Sequence, residues 1–406
     1  KLFTDNPDLL VAHHLDSYND FFATGIKRIF REKNPIRIMK VQDEKTHAFR
    51  RRCNLYLGGK GGDRIYYGTP TIYDDQRDHL MYPNEARLRN MTYAVTVHYD
   101  VEVEYFLAED EGDVPEGIAN QTIPTQTTVL EKIFLGRFPV MLLSDLCVLR
   151  GLAPRARFEL GECRNDHGGY FIVDGKEKCI ISQEKFADNM VYVREGVNDL
   201  YSHSAAVRSA AEDASKPVRT MKIYVVAPTP SLSNNQIVVA IPNVRKPIPL
   251  FILMRALGVE SDESIIQHCL LDMEKYRSYI DLFIPCVHDA GRVFNQEVAL
   301  KYIATFTKGK TIPHALEILT DYLLPHIGEM NFIDKAFFVG HMTKELLRVF
   351  TKDTKPTDRD SFAFKRVELP GTLLYSLFNE YYGLQQRNIY QKIDKEYYYK
   401  QGIYQN

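Results

Sequence analysis

The chain has 406 residues and a formal net charge of −2, with 45% hydrophobic and 26% charged residues. That balance excludes a disordered polymer, and it argues against a freestanding protein that coats nucleic acid, which would carry a strongly basic charge. The length points to two or three domains, since a single core rarely grows past about 250–300 residues, and no run of about 18 apolar residues offers a membrane span.

The opening K-L-F-T-D-N-P lacks the basic start and apolar core of a secretory leader, and a start at Lys1 fits an excised or processed piece. The six cysteines include no C-x-x-C pair, so reduced, mostly buried thiols in an intracellular protein are expected rather than a zinc site.

In chain order, apolar residues at Leu15, Tyr18, Phe21, Phe22, Ile26, Ile29 and Phe30 have helical spacing. Asp16 and Ser17 are candidate caps, and Asn34-Pro35 ends the helix, because the residue before proline is pushed out of helical geometry. From Ile36 to about Val103 the pattern changes to alternating strands: R-I-M-K-V, N-L-Y-L, R-I-Y-Y-G-T-P-T-I-Y and Y-A-V-T-V-H-Y-D-V-E-V-E-Y. G-G-K-G-G-D at 58–63 lacks phosphate-loop spacing and leads into a strand, so it reads as a hairpin tip. Glu109–Asp113 reads as a solvated acidic loop. Strand character resumes over E-K-I-F-L-G-R-F-P-V-M-L-L-S-D-L-C.

The best-specified local element lies in the stretch from Cys163 to Glu184. Asp174-Gly175, between the apolar runs Tyr170–Val173 and Cys179–Ile181, predicts a type I′ hairpin whose return strand opens at Lys176-Glu177-Lys178. Gly168 and Gly169 punctuate its entry. Two further strands follow, M-K-I-Y-V-V-A and Q-I-V-V-A-I-P, and then F-I-L-M-R-A-L-G with Gly258 as a helix C-cap. Helices are predicted over Asp262–Arg277, Gln296–Phe306, Ile312–Leu324 and Ile333–Phe350, and a Tyr-rich helix runs to about Tyr399 after the charged loop D-R-D-S-F-A-F-K-R. The class is α+β and multidomain, with residues 1–188, an inserted and mainly helical α+β region at 189–350, and a return segment at 351–406.

Catalytic constellations are missing from the sequence. There is no H-E-x-x-H, G-x-S-x-G or D-x-D-x-D, T-K-G-K-T lacks the first glycine of a phosphate loop, and the adjacent His13-His14 cannot share one helix face. No catalytic residue and no metal ligand is therefore assigned. The residues suited to phosphate or to a partner surface are Arg87 and Arg89, which share a side if extended, and Arg359, Lys365 and Arg366 around D-R-D and K-R. Arg50-Arg51-Arg52 reads as a solvated strand end.

Several separated motifs resemble, in order, the second-largest subunit of multisubunit DNA-dependent RNA polymerases of the eukaryotic, archaeal and large-DNA-virus lineage. They are L-D-S-Y-N-D-F-F, P-N-E-A-R-L-R-N-M-T-Y, G-R-F-P-V-M-L-L-S-D-L-C, G-G-Y-F-I-V-D-G-K-E-K with I-S-Q-E, R-A-L-G-V, K-A-F-F-V-G-H-M and D-R-D-x-x-x-x-K-R. The resemblance implies a protrusion (1–188 with 351–406, where a fork region starts) carrying an inserted lobe (189–350). These modules would form a wall of the DNA cleft and dock the largest subunit, other subunits and initiation factors. It implies part of a nucleotidyltransferase that is not catalytic by itself, with no cofactor in this chain and magnesium on the largest subunit. The implied site is the nucleus, or host cytoplasm or virion for a viral enzyme. Ser361 replaces the family's histidine and Ala363-Phe364 its Gly-Asn, a divergence resembling giant-virus enzymes. The rival expectation is a polymerase-derived scaffold that binds proteins and no DNA.

Overall fold

The computed structural model describes residues 7–42, 49–73, 78–107, 124–212, 216–229 and 234–399; the acidic run Glu109–Asp113 and part of the turn at 228–235 lie outside them. The architecture mixes helices with antiparallel sheets. Chain contacts divide it into two compact units, Lys1–Gln183 with Val367–Asn406, and Glu184–Arg366.

In the first unit α1 (Leu9–Asp20) passes through a π turn (Phe21–Gly25) into α2 (Ile26–Lys33), with helical backbone at both junctions. The helix therefore starts earlier than its apolar spacing indicates, and Asp16 and Ser17 lie inside it rather than at its cap. Asn34 is extended, as the following proline requires. Tyr18, Phe21, Phe22, Ile26, Ile29 and Phe30 are all buried.

This helical segment accompanies a five-stranded antiparallel sheet. β1 (Ile36–Gln42) pairs with β2 (Phe49–Leu57). β3 (Ile65–Tyr67) is followed by the small hairpin of β4 (Thr71–Tyr73) and β5 (Asp78–Leu80) and by α3 (Pro83–Leu88). The central strand β6 (Ala94–Leu107) pairs with β2, β3 and β7 (Gln126–Pro139). Val95, Val97, Tyr99, Val101 and Val103 are buried on β6, the period of two that puts one face of a strand inward. β7 stops at Pro139, so Met141, Leu142 and Cys147 are buried in turns rather than in a strand. After α4 (Pro154–Glu159) comes the hairpin β8 (Phe171–Val173) and β9 (Lys176–Lys178).

In the second unit β10 (Gln183–Phe186) precedes a five-stranded antiparallel meander. Its strands are β11 (Val191–Glu195), β12 (Tyr201–Ser209), β13 (Arg219–Val226), β14 (Ile237–Ala240) and β15 (Ile248–Pro249). All seven residues of α5 (Leu250–Ala256) are buried; six are apolar or small, and the seventh, Arg255, is ion-paired with Asp262 and donates to the Glu260 carbonyl at 3.2 Å. Gly258, at φ 101°, follows its end as the sequence predicts. α6 (Asp262–Leu270) is capped by Ser261, whose hydroxyl accepts from the Ser264 amide at 3.1 Å. It ends at Leu270 instead of running to Arg277, because Leu271 turns left-handed at φ 60°. Then come α7 (Ile284–Ala290), α8 (Gln296–Thr305), α9 (Ile312–Asp321) and α10 (Phe332–Phe350).

Lys335 on α10 has no exposed surface. Its ammonium donates to the carbonyls of Leu319, Thr320 and Glu329 at 2.8, 2.9 and 3.0 Å. The first two belong to the last turn of α9, where carbonyls lack helical partners and the dipole favours a cation. Burial pushes the Lys335 pKa down to about 8, against the opposing pull of Asp321 and Glu329.

β16 (Lys365–Glu368) pairs with β10, and α11 (Pro370–Tyr399) completes the first unit. A Cβ at Gly371 would sit 1.9 Å from the Ser17 carbonyl oxygen, so only glycine lets α11 approach α1 this closely. The Gly371 amide donates to Ser17 Oγ at 2.9 Å, which gives Ser17 a tertiary role in place of the predicted capping one. None of the six cysteines is in a disulfide; Cys147, Cys269 and Cys286 are buried, whereas Cys163 and Cys179 are exposed. Among the described residues no helix is long and apolar enough to cross a membrane.

Candidate nucleic-acid and subunit interface

The hairpin has the expected turn. Asp174 and Gly175 have φ of 52° and 72°, Val173 pairs with Lys176, and the loop is therefore two residues of left-handed backbone, as a type I′ turn requires. Gly168 and Gly169, at φ 71° and 81°, make the entry bend. A Cβ on Gly168 would meet the Leu142 carbonyl oxygen at 2.4 Å, so both geometry and space demand glycine there. The return strand is Lys176–Lys178 alone; Cys179–Ile181 does not continue it.

Chain segments far apart in sequence meet on this hairpin. The Tyr93 amide donates to the Ile172 carbonyl, the Gly175 amide to Met91 and the Leu142 amide to Tyr170, at 3.0, 3.0 and 2.9 Å. The Thr92 hydroxyl donates to the Asp174 carboxylate and accepts from the Asp174 amide, both at 3.1 Å. Tyr18 donates its phenol proton to the Pro139 carbonyl at 2.7 Å. The segments L-D-S-Y-N, E-A-R-L-R-N-M-T-Y, G-R-F-P-V-M-L-L, G-G-Y-F-I-V-D-G and L-P-G are thus joined through backbone groups and the Ser17–Gly371 contact.

Arg87 closes the same assembly. Its segment is helical rather than extended, with Pro83 in the first turn and Glu85 beside the helix N-terminus. Residues two apart on a helix do not face each other, so Arg87 and Arg89 diverge. The Arg87 guanidinium donates to both oxygens of the buried Glu162 carboxylate at 3.0 and 2.9 Å, to Glu177 on β9 at 2.8 Å and to the Tyr170 hydroxyl at 2.8 Å. Burial opposes the Arg87 charge, but Tyr170 and Glu162 outweigh it and raise its pKa above the ordinary arginine range. Tyr170 donates in turn to Asp166 at 2.5 Å, and the other Asp166 oxygen accepts the Gly168 amide at 2.8 Å. Burial and the Asp166 hydrogen bond raise the Tyr170 pKa, so the phenol stays protonated. Glu162, Asp166, Tyr170 and Glu177 were not singled out from the sequence; the signal available was a carboxylate-rich loop beside the hairpin.

Arg89 is half-exposed and pairs with Glu85 one turn back at 3.1 Å. The other basic candidates belong to the second unit. The Arg359 guanidinium and the Lys365 ammonium both lie over the Phe186 ring, 4.4 and 4.3 Å from its centre. Lys365 is also ion-paired with Glu184. Arg366 is exposed and bonds the Lys365 carbonyl at 2.7 Å. Asp358 accepts the Asp360 amide at 2.9 Å instead of locking the arginine between them. Ser361 accepts the Ala363 amide at 3.4 Å at the start of the turn Phe362–Phe364. The Phe364 carbonyl then accepts the Ala187 amide at 2.8 Å, which fixes this loop within its unit.

Lys60 of the glycine-rich turn is paired with Glu104 at 2.5 Å, and the turn leads into β3 as expected. Arg51 and Arg52 stand on β2. Among the described residues no group of three or more His, Cys, Asp or Glu side chains is placed to hold a metal ion.

The family model described as RNA polymerase beta subunit matches residues 9–404. The chain belongs to this family. The RNA polymerase II subunit RPB2 of Schizosaccharomyces pombe is 34% identical over 95% of this chain and 32% of its own length. RPB2 of Encephalitozoon cuniculi is 34% identical over 91% of this chain and 31% of its own. The archaeal subunit Rpo2N of Methanothermobacter thermautotrophicus is 30% identical over 93% of this chain and 70% of its own. The sequence corresponds to the N-terminal part of the second-largest polymerase subunit, and it spans about a third of the RPB2 relatives' length.

Proposed function

We propose that this chain is a non-catalytic part of a DNA-dependent RNA polymerase. In this reading the first unit is the protrusion and the second the lobe. Together they form a wall of the DNA cleft and dock the largest subunit, other subunits and initiation factors. Magnesium and nucleotidyl transfer reside on the largest subunit, and the compartment is that of the transcription complex, the nucleus in a cellular enzyme. The supporting observation is the convergence of four of the family-like segments on one hairpin network, within a match that runs almost the whole chain. A network that fixes backbone rather than aligning reactive groups suits a positional role.

The cations best placed to meet phosphate are Arg359 and Arg366, which have no carboxylate partner among the described residues, with Arg89 and Lys365 as weaker candidates because Glu85 and Glu184 neutralise them. Arg87 serves the same function indirectly, by fixing the hairpin. Contacts of this kind orient DNA without reading its sequence. The test is a polymerase assembled with Arg359→Glu and Arg366→Glu. We expect intact assembly, weaker duplex binding, and a log–log salt slope smaller by roughly 1 per lost phosphate contact. Unchanged DNA affinity and salt slope overturn the DNA-facing assignment.

The neutralisation of Arg87, Arg89 and Lys365 by carboxylates favours a second reading, a scaffold that binds proteins and no DNA. Duplex binding that stays flat across a salt titration, with factor binding retained, decides for it.

A further inference from the structure

The first unit carries an apolar groove of about 570 Å³ that the proposed cleft role leaves unused. Phe21, Phe22, Phe138 and Phe171 form its floor, and Leu377 and Tyr381 of α11 form a wall. Those two wall residues are 52% and 63% exposed, large apolar surface left facing water. Tyr381 also lines an adjoining pocket of about 550 Å³ with Leu384 and Ile389. Along α11 the outward stripe runs 377, 381, 384, 388, 392, the spacing by which one helix receives another. Those positions span about 22 Å at the helical rise of roughly 1.5 Å per residue.

The charges around this trough have one sign. Among the described residues lining the two pockets, the charged ones are Arg137, Lys178 and Lys392, and no carboxylate is present. Arg137 and Lys178 are exposed and have no ion-pair partner among the described residues. An apolar helical trough with cations at both ends selects its partner by charge as well as by shape.

We propose that this groove docks an acidic amphipathic helix of another polypeptide. Leucine or aromatic side chains enter the trough, and carboxylates face Arg137 and Lys178 at one end and Lys392 at the other. The proposal stands on the groove alone and does not depend on the cleft-wall assignment.

The test selects a displayed library of fifteen-residue peptides on the intact polypeptide carrying this sequence, with Leu377→Glu as counter-selection. Leu377 is half-exposed, so this variant should melt with the parent. The expected pool has Leu, Phe or Tyr at helical spacing together with Asp or Glu. A representative synthetic peptide should bind at least tenfold more weakly to Leu377→Glu. Against the double variant Arg137→Glu/Lys178→Glu, which changes surface residues only, it should lose at least fivefold, and its lysine-for-glutamate version should gain. No enrichment overturns the proposal, as does a basic pool, or affinity indifferent to the charge reversals. Concentration-dependent dimers abolished by Leu377→Glu would also overturn it, by assigning the groove to a second copy.

Discussion

Two enclosed cations, Arg87 in the first unit and Lys335 in the second, are handled by opposite means. In the first unit Arg87 sits among carboxylates, with Glu162 held by two hydrogen bonds and Glu177 by a third. In the second, Lys335 sits among carbonyls, with three backbone oxygens around its ammonium and Asp321 and Glu329 acting only at a distance. A guanidinium is planar, permanently charged and able to fork across a carboxylate. An ammonium is a point charge whose three donors fit a ring of carbonyls, and it can lose its proton when desolvated. The same problem, a charge largely out of water, thus becomes a pH-independent tie at Arg87, as at the buried Arg255 paired with Asp262 in the second unit, and a titratable cap at Lys335.

The largest expected effect breaks the first arrangement. Arg87→Met should cost about 3–5 kcal/mol in urea unfolding, because it leaves the buried Glu162 carboxylate without its partner. Arg87→Lys should recover only part of that loss, since one ammonium cannot reproduce the fork. A cost below about 1 kcal/mol for Arg87→Met would show that the network is not holding the hairpin.

Lys335→Met should cost less, about 1–3 kcal/mol, by leaving carbonyls of α9 without a donor. It also separates the two cations by pH. The folded pKa of Lys335 is about 8 against an ordinary 10.5, so between these values the unfolded chain binds more protons than the folded one. Stability contributed by this group therefore rises with pH from about 8 to 10.5 and is flat below about 8. The difference between parent and Lys335→Met unfolding free energies should follow that slope, and Arg87→Met should show no such slope. A slope of the opposite sign would mean that the carbonyl ring holds the proton more tightly than burial expels it.

Gly371→Ala tests packing without charge. Its methyl would meet the Ser17 carbonyl at 1.9 Å, so α11 must shift, at a cost of about 1–3 kcal/mol read from thermal unfolding. The smallest effect belongs to Arg89→Ala, which removes a half-exposed pair one helical turn apart and should change stability by less than about 0.5 kcal/mol.

Much of the local structure was legible because it depends on short-range rules. The Asp174-Gly175 turn, the stop at Asn34-Pro35, Gly258 after α5 and the helix over 296–305 each follow from backbone preferences or apolar period within a few residues. The misses are equally physical. Helix α1 gains residues before Leu15, α6 stops at Leu270 where one residue turns left-handed, and the hairpin's return strand is the polar Lys176–Lys178 rather than the apolar run after it.

The sequence by itself determined the family, the alternation of strand and helix, and the positions where only glycine, proline or asparagine-type turns are tolerated, because those signals act over neighbouring residues. Which arginine is enclosed and which lies near solvent was decided by tertiary structure. Arg87 and Arg89 differ by two positions and by nothing in composition, yet the turn of α3 aims one at Glu162 and Glu177 and pairs the other with Glu85 near solvent. The partners of Arg87 lie some 75 to 90 residues away, and a pairing over that separation exists only once the chain between them has folded.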